Sequence, residues 1–278
     1  MRTLALARFT FHEAIRKKIV VAAVSLTLIF LALFALGTHF AVRELETSTI
    51  IIPSVKPILV SQLLLTGVWI TSLASGLLAI FAASGTISGE VENATLHAIA
   101  AKPLPRWEIV VGKWLGLATM VTSYTIVVAG IVIATVWMRA GYAGTSPHLA
   151  LLALSMQTLV LLSLTVLGSA WFPSLATSIG VFMLHAIAMA AGIQEQLGFV
   201  LKNQTMQDAG LYVSLVIPSD AMQKLAAAAL QNTTGATLTM PGPFSVLAPP
   251  SPWMVAYAAL YIVLCMLIAV ARFDAQDL

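Results

Sequence analysis

Charge is what this sequence is short of. Asp, Glu, Lys and Arg make up only 9% of its 278 residues, against about 25% in soluble domains. Hydrophobic residues reach 59%, with a mean hydropathy of +0.96. So little charge cannot cover a water-facing surface, which excludes an ordinary soluble globule and points to an all-α polytopic membrane protein. Cysteine is scarcer still: Cys265 stands alone inside an apolar run, so neither an intrachain disulfide nor a cysteine-based metal site can form. The net charge of +3 is too small to argue for a nucleic-acid partner.

Catalytic motifs are missing too. Gly112-Lys113 lacks the upstream glycine and the following hydroxyl of G-x-x-x-x-G-K-[ST], so the chain has no P-loop for ATP. His12-Glu13 has no second histidine at H-E-x-x-H spacing, and no G-x-S-x-G occurs. Glu90 and Glu92, two apart, point to different faces of a helix and make poor acid–base or metal partners. No catalytic role is expected. Met189, Met206, Met222, Met240, Met254, His39 and His148 are of the type that binds copper, but their spacing forms no cluster. No metal or other cofactor is expected on this chain.

What is present is a series of long apolar runs. A membrane helix needs about 20 mainly apolar residues, and six stretches qualify: 19–41, 57–83, 114–138, 149–171, 174–192 and 253–271. Helix is the expected state, since isolated strands in lipid would leave backbone groups unpaired. The first run is too long for the apolar region of a signal peptide, so an uncleaved span is expected. Phe172-Pro173 breaks the fourth stretch from the fifth. Lys and Arg set the orientation. With both termini in the cytoplasm, nine basic residues lie on that side, including Arg16-Lys17-Lys18, and five lie on the other.

Three segments lie outside these runs. Residues 1–18 read as an amphipathic helix, with Leu4, Ala7, Phe11 and Ile15 on one face and Arg8, His12 and Arg16 on the flank. Residues 193–252 read as a partly re-entrant outer segment, with a helix over 221–230 for which Ser219 is the candidate N-cap. Residues 88–113 hold Glu90, Glu92, Lys102, Arg106, Glu108 and Lys113. A short helix from about Val91 to Ala101 is expected there, stopped by Pro103 and Pro105, and the partly apolar segment has the character of a docking surface. Gly112 and Gly116, four apart, let the third span pack closely on a neighbour. His185 is the one ionisable group deep in a span, about 18 Å from the cytoplasmic edge at 1.5 Å per residue, and Gln157 falls near 21 Å on the same count. Such a pair within hydrogen-bonding reach is a candidate substrate path, or a structurally satisfied histidine.

The stretch "GEVENATLHAIAAKPLPRWEIVVGKWLG" resembles the first cytoplasmic loop of ABC type-2 exporter permeases, through Glu90, Glu92, Thr95, Leu96, Pro103, Arg106, Gly112 and Lys113. Asn93-Ala94 stands where that family usually has a basic residue and glycine, and Lys102 precedes the proline. "ALARFTFHEAIRKKI" is similar to the family's N-terminal elbow helix. "IPSDAMQKLAAAAL" looks like the outer segment of the subgroup containing the nitrous oxide reductase maturation permease. The resemblance implies a transmembrane permease subunit that forms a homodimer and binds two copies of an ABC ATPase subunit carrying ATP and magnesium. It implies a coupling helix in the 88–113 loop, with Glu90, Glu92, Thr95, Leu96, His97, Pro103 and Arg106 as the ATPase interface. It further implies a place in a bacterial or archaeal inner membrane, and export of a substrate or mechanical work on an extracytoplasmic accessory protein. A membrane anchor or assembly scaffold without transport and a secondary transporter are the rival readings.

Overall fold

The computed structural model describes residues 2–47, 55–88, 106–231 and 244–275. Among these residues all regular structure is helical. In chain order the helices are α1 (Arg2–Arg16), α2 (Lys18–Thr47), α3 (Lys56–Ala83), α4 (Arg106–Ala140), α5 (Pro147–Gly168), α6 (Ser174–Val200), α7 (Gln204–Val216), α8 (Ser219–Leu230) and α9 (Trp253–Asp274). Six of them, α2, α3, α4, α5, α6 and α9, are long and apolar enough to cross a membrane. These are the six stretches read from the sequence.

The helices overrun the apolar runs. α4 has 35 residues, about 52 Å of helix against a hydrocarbon layer of ~30 Å. Hydropathy marks where lipid ends, but intrahelical hydrogen bonding continues through the polar turns beyond it. α5 instead stops three residues short of its expected end, at Gly168. Pro173 has no N–H and restricts the residue before it. The chain therefore turns early, with the Phe172 N–H donating to the Gly168 carbonyl at 3.0 Å.

Two apolar clusters hold the bundle together. One, at the amino-terminal side, joins Ala14, Leu78, Ile80, Val110, Leu117, Leu161 and Phe273. The other joins Leu64, Val68, Ala129, Val132, Leu154, Ala226 and Leu230. α3 and α5 are the most enclosed spans, whereas α2, α6 and α9 turn wide apolar faces outward, with Leu26, Leu33, Leu175 and Leu267 each more than half exposed. Lipid or another protein chain must cover those faces.

α1 lies along the start of α4, and the two glycines explain how. A β-carbon on Gly112 would stand 2.8 Å from Leu6, and one on Gly116 would stand 2.5 Å from the Ala7 carbonyl. The close neighbour expected for this pair is thus the amphipathic helix, which the chain itself supplies. Thr10, Phe11 and Ala14 turn inward, while Arg8, His12 and Arg16 are exposed as expected. Ile15 is 46% exposed rather than on the packed face, because α1 ends one residue later and the chain bends into α2.

Beyond α6 the chain forms a hairpin. α7 runs back along α6, with Gly198 against Met206 and Gln207, and Gly210 against Ala191 and Glu195. After Ile217-Pro218, α8 returns outward between α3, α5 and α6. Its far end meets the 141–146 connection: Ser146 N–H donates to Ala229 O (2.8 Å), the Tyr142 hydroxyl to Leu230 O (2.6 Å) and Thr145 Oγ1 to Gln231 O (3.0 Å). Burial raises the Tyr142 phenol above its usual range, which keeps it a donor. Gly144, with φ +85°, permits this approach, since a β-carbon there would stand 2.9 Å from the Leu230 Cα.

Candidate functional site

The loop singled out in the sequence falls largely outside the described residues. That applies to Glu90, Glu92, Thr95, Leu96, His97 and Pro103, and to the expected short helix; Arg106 opens α4, and its side chain is likewise outside. What is described is the neck of the loop. Past α3, the Thr86 N–H donates to the Ala83 carbonyl at 3.0 Å, and Ser88 Oγ donates to Ser84 O at 3.2 Å. Lys113, two turns into α4, extends its ammonium to the Thr86 carbonyl at 3.0 Å. One charged hydrogen bond therefore ties the two strands of the neck together. Gly112 and Gly116, on either side of Lys113, seat α1 against the same turn of α4. The loop thus emerges from a clamp of three helices.

The deeper pair is arranged differently from the sequence expectation. Gln157 and His185 are both fully enclosed, but they do not bond to each other. Gln157 pairs with Ser72 on α3, accepting at Oε1 (2.9 Å) and donating from Nε2 (2.7 Å). His185 Nδ1 lies 3.0 Å from the Ser219 hydroxyl, and its Nε2 has no hydrogen-bond partner. Equal depth placed them on one level, yet they sit on different helices facing different neighbours. Ser219 also departs from expectation. The N-cap of α8 is Pro218, and Ser219 is the first residue within the helix, its hydroxyl bonded to His185 at the tip of the hairpin. Ser219 lies beside the twelfth residue of α6, about 17 Å along that helix, so α7 and α8 enter the bundle as a re-entrant element.

A cluster next to that tip escaped the sequence reading. Lys224 Nζ lies 2.6 Å from Glu195 Oε2 and 2.9 Å from Asp220 Oδ2. The Lys224 and Asp220 side chains are almost wholly enclosed. Gly192 makes this possible, since a β-carbon there would fall 2.0 Å from Asp220 Oδ2. A pocket of about 70 Å³ adjoins the cluster, lined also by Trp69, Met189, Gln196, Gln223 and Phe244. Charges removed from water in this way are tolerated only when paired and hydrogen-bonded. The one sequence signal was the Asp220–Lys224 spacing of four, an ion-pair register on a helix. Glu195 could not be matched to it without knowing that α7 folds back.

These groups lie at two places, the neck where α1, α3 and α4 meet and the hairpin tip between α6 and α8. A family model described as ABC-2 family transporter protein matches residues 4–278. The chain belongs to the ABC-2 transporter family. A comparison with curated proteins gives no match. The ABC-2 chain is thus the membrane-embedded permease component of an ABC transporter, and is not itself the catalyst of ATP hydrolysis. Permeases of this family work with ABC ATPase subunits and the membrane, which gives the absent P-loop its explanation.

Proposed function

We propose that this ABC-2 permease forms a homodimer, binds two ATPase subunits through the 88–113 loop, and couples their ATP hydrolysis to export or to mechanical work on an extracytoplasmic partner. ATP and magnesium reside on the ATPase subunits in this reading, and both termini face the cytoplasm of a bacterial or archaeal cell. The observation that carries it is the neck. Lys113 bridges to Thr86 while Gly112 and Gly116 seat α1, so a push on the loop moves α1, α3 and α4 together. A rigid base under a short docking segment is a lever.

Glu90, Glu92, Thr95, Leu96, His97, Pro103 and Arg106 form the docking surface in this proposal. Gln157 and His185 act on the substrate path indirectly, by fixing the hairpin tip and α5 against α3. The outward apolar faces of α2 and α6 provide the surface along which a hydrophobic or amphipathic substrate moves.

Co-purification with the cognate ATPase tests the coupling. Leu96→Asp or Glu92→Arg is expected to reduce ATPase association at least tenfold and to lower turnover, with the permease still folded. Unchanged association and turnover would remove the loop from its role. Reconstituted ATP hydrolysis with no substrate movement would favour mechanical work.

A further inference from the structure

An apolar groove of about 240 Å³ runs between α2, α3 and α4. Ile19, Ala23 and Phe30 form one wall, and Ile70, Ala74 and Phe81 form the other. Each wall spans twelve residues, about 16 Å of helix, which matches the ~15 Å depth of one leaflet's hydrocarbon. Its polar groups, the hydroxyls of Thr27 and Tyr124, hydrogen-bond to each other and offer nothing to a ligand. The groove therefore selects hydrocarbon, and its volume lies below the range usual for drug-sized ligands.

One end of the groove is charged. Ile19 follows Arg16, Lys17 and Lys18, all exposed at the joint between α1 and α2. Glu13 lies 3.9 Å from Lys17, while Arg16 and Lys18 have no acidic partner within ion-pair distance among the described residues. Two unbalanced cations thus stand where the headgroup of a chain lying in the groove would sit.

We propose that this groove and the Arg16–Lys18 joint together form a binding site for an anionic phospholipid of the leaflet on the amino-terminal side. One acyl chain lies between Ile19 and Phe30, and the phosphate meets Arg16 and Lys18. Such a lipid would hold the α1–α2 joint to α3 and α4 independently of any ATPase.

Native mass spectrometry of the purified chain, mixed with dioleoyl phosphatidylglycerol or dioleoyl phosphatidylcholine, tests the site. The unaltered protein is expected to retain the anionic phosphatidylglycerol preferentially. Arg16→Gln/Lys18→Gln should lower that preference about fivefold per charge removed. Ala74→Phe, which fills the groove, should lower retention of both lipids while helicity by circular dichroism stays unchanged. Equal retention of the two lipids by the unaltered protein, or no effect of either variant, would overturn the proposal. It would equally fail if Ala74→Phe left retention intact and dissociated a dimer, since the groove would then be a contact between two copies.

Discussion

At Gly192 there is no room for a methyl group, because the Asp220 carboxylate already occupies the space where it would stand. Gly192→Ala should push Asp220 off Lys224, with a loss of about 1–3 kcal/mol typical of overpacking, read as a lower midpoint in thermal unfolding in detergent. Lys224→Met goes further, leaving Asp220 and Glu195 without their shared cation. A loss of about 3–5 kcal/mol is expected from breaking a buried ion pair. Adding Glu195→Gln and Asp220→Asn to Lys224→Met should recover a large part, because it is the stranded charge that destabilises. Raised salt should change these differences little, since screening acts on exposed charges. If Lys224→Met unfolds at the same midpoint as the unaltered chain, the cluster has no structural weight.

Among the elements, α1 depends on two glycines for its seat. Gly116→Val should drive the Ala7 carbonyl away and detach α1, so that trypsin cleaves after Arg16, Lys17 or Lys18 many times faster while the spans stay intact. Equal cleavage rates would show that α1 is held some other way. This element also shows what the sequence could and could not convey. Amphipathicity identified α1 as an interfacial helix, and small-residue spacing identified α4 as a close-packing partner, but nothing local linked one to the other. The hairpin was less legible still. The composition of 193–252 indicated partial re-entry, and Ser219 marked the start of α8 to within a residue. The reversal of α7 onto α6, however, depends on Gly198 and Gly210 meeting residues that lie beyond the turn. For that reason Gln157 and His185 were matched by depth when their partners, Ser72 and Ser219, lie on other helices.

Over the whole molecule, the proposed path of six crossings puts both termini on one side of the membrane. Cys265 is free and buried, so an impermeant reagent does not reach it and it need not be removed. Cysteines placed at Thr3 and Ala275 should be labelled by an impermeant maleimide only from the cytoplasmic face, and one at Lys202 only from the other. Labelling of positions 3 and 202 from one face would refute the six-span path. The six candidate spans were legible because lipid imposes one length and one backbone state on every crossing. Helix ends were not, since polar turns past the lipid look the same in sequence whether helical or not.

The three carbonyls at the end of α8 carry a consequence for biosynthesis. Tyr142 and Leu230 are 88 residues apart, so at about 5–20 residues per second the ribosome needs about 4–18 s to deliver the second after the first. During that interval the 141–146 connection has emerged and its donors have no acceptor in the chain. These contacts therefore close only after α6, the fifth of the six apolar helices, has been made.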